Sequence, residues 1–186
     1  MGDGMNVKMI LSISFLFGLT SSCMADEIPE SNKPVELNVL KESLGVWDAE
    51  IEVWPQGLDS PSIKFKGVET NRPFGEHRIA SDFDSEYMGE TMKVHSIVGY
   101  DLDRKKMVGT VIDHGPYAAK MSGDYDAKSK SVRWTTEVKS REGKPIVQKT
   151  LVTKKSAEER MLVLSVQGKQ ENEFIEFMRI KFVKRR

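Results

Sequence analysis

Val98-Gly99-Tyr100-Asp101-Leu102-Asp103-Arg104-Lys105-Lys106-Met107-Val108-Gly109-Thr110-Val111-Ile112-Asp113 is the stretch that decides the fold. Before its centre, Val94, Ser96, Val98 and Tyr100 share one face of an extended strand. After it, Met107, Gly109, Val111 and Asp113 do the same. Asp101 to Lys106 is a charged run between two β-branched segments, which is a hairpin signal.

Working outward, the same period of two recurs on both sides. Upstream, Trp47, Ala49, Ile51 and Val53 alternate with Asp48, Glu50 and Glu52. Ile63, Phe65 and Gly67 continue the inward set, and Glu69 and Asn71 fall on that same side. Pro73 to Gly75 turns the chain, after which Ile79, Ser81, Phe83, Ser85 and Tyr87 oppose Ala80, Asp82, Asp84 and Glu86. Downstream, Tyr117, Ala119, Met121, Gly123 and Tyr125 form one face. Val132, Trp134, Thr136 and Val138 form the next, after a turn at Asp126 to Lys130. A turn at Arg141 to Lys144 leads into Ile146 to Thr153, and Arg160 to Val166 and Phe174 to Val183 complete the series. Only Glu36 to Leu44 departs from it: Leu37, Leu40 and Leu44 sit at helical spacing, and Gly45 is the expected stop.

This is an all-β pattern of about ten strands in meander order behind a short N-terminal helix. An open meander of that length exposes two sheet edges, so a closed up-and-down antiparallel barrel is expected. A barrel of this strand number has room for a small ligand.

The chain has 186 residues. Met9 to Leu19 is an apolar run preceded by Lys8, too short for a bilayer span of roughly 20 residues. It reads as the core of a secretory signal, with Thr20 to Ala25 as the processing zone and cleavage expected after Ala25. Residues 1–25 are then the export signal, 26–35 a flexible leader and 36–186 the barrel domain. The expected location is periplasmic or extracellular. Lipid anchoring through Cys23 is the competing reading, and no transmembrane span is expected in the mature chain. Cys23 is the single cysteine, so no disulfide framework is expected. Lysine plus arginine equals aspartate plus glutamate at 28 each, which gives no global field for nucleic acid. The basic ending Lys181, Lys184, Arg185 and Arg186 reads as the solvated end of a terminal strand.

Leu44-Gly45-Val46-Trp47, following a short helix, resembles the glycine-x-tryptophan start of lipocalin-like (calycin) barrels. The resemblance implies that Trp47 plugs the closed end under a basic residue of the last strand, for which Arg179 is the candidate. A longer series is more specific: Gly99-Tyr100-Asp101, Lys105 to Thr110, Asp113, Gly123-Asp124-Tyr125-Asp126 and Gly143-Lys144-Pro145. In order and spacing it resembles the bacterial domain-of-unknown-function family DUF1579, from about Leu40 to the C-terminus. The resemblance implies a calycin barrel and no assigned reaction. Where the family pattern carries an aromatic residue, this chain has Val111.

The inward positions carry the functional expectation. Ala49, Ser81, Ser85, Ser96, Gly109, Ala119, Gly123 and Thr136 are small for a close-packed core. Either they face large partners across the barrel and simply fit, or they leave a cavity. In the second case Phe65, Phe83, Tyr87, Tyr100, Met121 and Trp134 supply apolar walls, and Ser96, Val111, Asp113 and His77 complete the candidate ligand-binding set. The expected occupant is a small, largely apolar molecule. A structural or interaction module with a filled barrel and an exposed patch near Trp54 and Leu58 is the alternative. A third reading is an enzyme using His77 with Glu69 or Asp113, since a histidine between carboxylates can shuttle protons.

No catalytic set is singled out. His77, His95 and His114 lack metal-ligand spacing, and the mature chain has no thiolate to complete a zinc site. The nitrobindin group of lipocalin-like barrels binds haem through a late-strand histidine, and this chain has none after His114, so no cofactor is expected; His77 and His95 are the remaining candidate haem ligands. Asp101-Leu102-Asp103 and Asp124-Tyr125-Asp126 lack the further oxygen donors of a calcium loop and read as turn residues.

Overall fold

The computed structural model describes residues 34–139, 143–168, 170 and 172–186. The expected export signal, most of the expected leader, and Arg141 and Glu142 of the expected turn lie outside the described residues. Helix α1 (Val35–Glu42) precedes ten strands: β1 (Gly45–Val53), β2 (Ile63–Pro73), β3 (Arg78–Tyr87), β4 (Glu90–Asp101), β5 (Lys106–Ile112), β6 (Ala119–Asp126), β7 (Ser131–Lys139), β8 (Pro145–Lys154), β9 (Glu159–Gln167) and β10 (Phe174–Lys184). Each strand pairs antiparallel with its sequence neighbours, and β1 pairs with both β2 and β10, closing the barrel. Closure leaves no free edge for pairing with another chain.

The alternation in sequence becomes the wall of the barrel. In β1, Trp47, Ala49 and Ile51 are buried while Asp48 and Glu50 are exposed. The opening hairpin pairs Val98 with Gly109 and Tyr100 with Met107. Its turn is held by the Asp101 carboxylate, which accepts the backbone N–H groups of Asp103 at 3.1 Å and Arg104 at 2.9 Å. Asp126 does the same for Lys128 and also accepts the Ser129 hydroxyl. Both acidic pairs therefore serve turns.

Helix α1 starts one residue before and ends two residues before the Glu36 to Leu44 run that its leucine spacing suggests. It ends at Glu42 with Ser43 as the cap, and Gly45 opens β1 with φ +110°, a left-handed value that glycine adopts without strain. Eight residues make a marginal helix in isolation. It is held by Leu37 and Leu40, buried against Ile79, Val98, Met107, Val132 and Trp134 at one end of the barrel. Burial of each leucine contributes about 1.5–3 kcal/mol. Glu36 in the first turn and Lys41 in the last complement the helix dipole. A second cluster, Trp47, Ala49, Ile51, Ile180 and Phe182, lines the β1/β10 side. The core is thus split between two stretches of wall.

The basic C-terminal run is paired within the chain. Arg185 bonds Asp48, Arg186 reaches Glu158 and Lys181 reaches Glu159. The Arg185 guanidinium holds the Asp48 carboxyl below its usual range.

Candidate ligand cavity

A cavity of about 1100 Å³ lies between the two clusters. Its apolar wall includes Ile51, Phe65, Phe83, Met92, Val94, Met121, Leu162, Leu164, Met178 and Ile180. The size is at the upper end for a small-molecule site, and the methionines give a wall that adapts in shape.

Of the residues expected to line it, Phe65, Phe83, Ser96, Val111, Asp113, Met121 and Trp134 do. Tyr87, Tyr100 and His77 do not. The Tyr87 ring backs Phe65, with centroids 5.1 Å apart. Tyr100 packs on the cluster under α1, where burial and then the nearby Glu36 push its phenol pKa upward. His77 falls in the bend before β3 and lines a separate cleft of about 260 Å³ with Leu37, Lys41 and Leu44. Its parity with Ile79 holds only if the strand extends through it, and the strand begins at Arg78.

The proposed His77–Glu69–Asp113 arrangement therefore does not assemble. Glu69 and Asp113 line the barrel cavity and His77 does not. Glu69 is instead paired with Arg160, and Asp113 accepts the backbone N–H of Gly115 at 2.7 Å. His95 sits on the outer face, its Nδ1 2.7 Å from Asp82. That hydrogen bond first, aided by Arg72, holds the Asp82 carboxyl below its ordinary range. With none of the three histidines on the cavity wall, the residues present do not offer a histidine ligand to a haem placed there. Among the described residues, no group of three or more His, Cys, Asp and Glu side chains comes together to hold a metal ion.

The small inward residues divide between both expectations. Ser81, Ser96, Ala119 and Thr136 face the cavity. Gly123 and Gly109 instead admit close neighbours: a Cβ at Gly123 would meet the Trp134 ring at 2.6 Å, and one at Gly109 would meet Val98 at 2.7 Å. One set leaves volume; the other lets large side chains lie flat against the wall.

Trp47 is buried at the α1 end, its indole N–H donating to the Ser43 carbonyl at 2.8 Å. The expected cation lies over it but is not Arg179. Arg179 stacks on Trp54 on the outside and pairs with Glu176. Trp54 is buried, while Leu58 is exposed. The guanidinium of Arg160, on β9, lies 4.5 Å from both the Trp47 and Phe182 rings, and Lys184 lies 5.3 Å from Trp47. Parity carried this signal: Arg179 alternates with inward Ile180 and Phe182, whereas Arg160 shares its face with Leu162 and Leu164. Arg160 pairs across the sheet with Phe182, which sets it inward.

At this end the cavity has a polar floor. Asn71 donates to Glu69 Oε1 at 2.6 Å and to the Ser43 carbonyl at 2.9 Å, Ser81 donates to Asn71, and Arg160 Nη2 lies 2.7 Å from Glu69 Oε1. The pair of charges is held inside a mostly apolar barrel, where removal of either leaves the other uncompensated.

The family description "Protein of unknown function (DUF1579)" matches residues 35–184. The chain belongs to this DUF1579 family. No curated protein matches. Among solved structures, the crystal structure of Rv2717c from M. tuberculosis is similar, with a TM-score of 0.58 and 8% identity over 81% of this chain and 97% of that one. At that identity the likeness shows the fold alone. For this DUF1579 member, the function has to be argued from the cavity.

Proposed function

We propose that this DUF1579 protein binds a small, largely apolar molecule inside its barrel. The observation that carries the reading is the cavity itself, about 1100 Å³ and walled mainly by aliphatic, aromatic and methionine side chains. Transfer of apolar surface from water into such a space is favourable at about 25 cal/mol per Å². A barrel serving only as a rigid scaffold needs no such volume, because a void forgoes dispersion contacts along its lining. Tyr117 and Lys139, in a cation–π contact at 4.8 Å, both line the cavity.

The decisive experiment is native mass spectrometry of the protein purified from its own host, paired with titration by the neutral dye Nile red. A retained small molecule, or saturable dye binding with a blue shift, supports the reading. Absence of both sinks it. We also infer export from the Met9 to Leu19 run and the Thr20 to Ala25 processing zone. Cell fractionation with intact-mass measurement tests this: a mature chain beginning at Asp26 supports soluble export, and an acylated Cys23 supports anchoring instead.

A further inference from the structure

The polar floor at the α1 end has more polar capacity than the protein uses. Asn71 donates to Glu69 Oε1 at 2.6 Å, Arg160 Nη2 lies 2.7 Å from the same oxygen, and the Ser81 hydroxyl, whose proton goes to Asn71, lies 3.4 Å away. Oε2 of the same carboxylate takes no bond from any described residue. Across from it, the Arg160–Glu69 contact is an ion pair without hydrogen-bond alignment, and Nε and Nη2 of Arg160 are buried with no aligned acceptor. Both side chains are only 14% exposed, and both line the cavity. Trp47 and Phe182 lie 4.5 Å from the guanidinium, which restrains its movement. A spare acceptor and spare donors therefore stand side by side, and their charges cancel.

We propose that this floor is a head-group site, and that it selects an uncharged donor–acceptor group, a hydroxyl or a primary amide, at the end of an otherwise apolar chain. The proposal rests on the binding reading above and names the ligand class. A hydroxyl accepts from Arg160 and donates to Glu69 Oε2, completing both. A carboxylate would gain the same donor but meet the charge of Glu69, and an ammonium would meet that of Arg160. In a site of low dielectric such like-charge contacts are strongly disfavoured. The chain would then lie along Ile51, Phe65, Phe83, Leu162 and Leu164.

The test uses the intact protein loaded with Nile red and displaced by 1-dodecanol, dodecanamide or dodecanoate, above the pH range in which dodecanoate protonates. The alcohol and amide are expected to displace the dye at concentrations about tenfold or more below the carboxylate. Glu69→Gln keeps the shape but removes the negative charge and puts an amide donor where Oε2 stood, so dodecanoate should improve about tenfold while the alcohol, which loses its acceptor, should weaken. The double variant Glu69→Gln/Arg160→Met should lose the discrimination. Equal displacement by all three probes, or dodecanoate strongest with the native protein, overturns the head-group assignment while the binding reading stands. If Nile red does not bind and no small molecule is retained on purification, both fall; if a molecule is retained without dye binding, a head group on it other than a hydroxyl or primary amide overturns the assignment. Should Glu69→Gln fail to fold, the three probes on the native protein still decide.

Discussion

Replacing Arg160 by methionine should destabilise the barrel far more than loss of a surface ion pair. Exposed pairs contribute about 0–1 kcal/mol, and the Arg160–Glu69 pair is not in that regime, with both side chains 14% exposed. Removing one member of a buried pair costs about 3–5 kcal/mol, because the other charge stays behind without compensation. Asn71, itself held by the Ser81 hydroxyl, still donates to Glu69, which places the cost at the lower end, about 3 kcal/mol. The guanidinium also loses its contacts with Trp47 and Phe182. Such contacts contribute about 0.5–2 kcal/mol each, partly replaced by methionine sulfur, for a net loss of about 1 kcal/mol. The expected total is about 4 kcal/mol, or roughly 8–16 °C in Tm for a domain of this size. Urea unfolding followed by tryptophan fluorescence measures it. A double-mutant cycle with Glu69→Gln should return a coupling of about 2 kcal/mol or more. A loss under about 1 kcal/mol with coupling near zero would refute the reasoning, since it would mean that water screens the pair as it does at a surface.

Three further outcomes follow from the same structure. Gly123→Val should cost about 1–3 kcal/mol by overpacking, because its Cβ lands 2.6 Å from the Trp134 ring; an unchanged urea midpoint contradicts the close fit. Ser96→Phe puts a ring into the cavity and should weaken Nile red binding about tenfold with little change in Tm; undiminished binding places the dye elsewhere. For Asp82, the lowered carboxyl pKa means that its contribution is present above the unfolded value near 3.9 and is lost as pH falls through the folded one. The pair with His95 is partly exposed, so Asp82→Asn should cost under about 1 kcal/mol at neutral pH and nothing in strong acid. A cost that persists below that range removes the ionic explanation.

Strand placement was legible because a residue's side on a half-buried strand depends only on local parity. The expected runs correspond to β1 through β10, and the Gly45-Val46-Trp47 motif does place its tryptophan at the end covered by α1. The candidate site was legible to the extent that parity held. Phe65, Phe83, Ser96, Val111, Asp113, Met121 and Trp134 reached the cavity by that rule. His77 missed it because one bend ended the strand before the rule applied. Tyr87 and Tyr100 had inward parity but stand where another side chain or the helix covers them, and parity does not report depth along a barrel.

The sequence by itself determined the ten strands, the helix before them and the alternation of faces, since each is set by neighbours one to four residues apart. What only the tertiary structure decided is which inward residues meet. The pairing of β1 with β10 and of β10 with β9 brings Arg160 over Trp47, which lies more than a hundred positions earlier in the chain, and beside Glu69. The same closure divides the small residues between those that seat a ring and those that leave space. Volume at the centre of a barrel depends on all ten strands at once, and no local pattern carries it. The hairpin from Val98 to Asp113 shows both sides of this: its turn was readable from its own residues, and the cavity against its inner face was not.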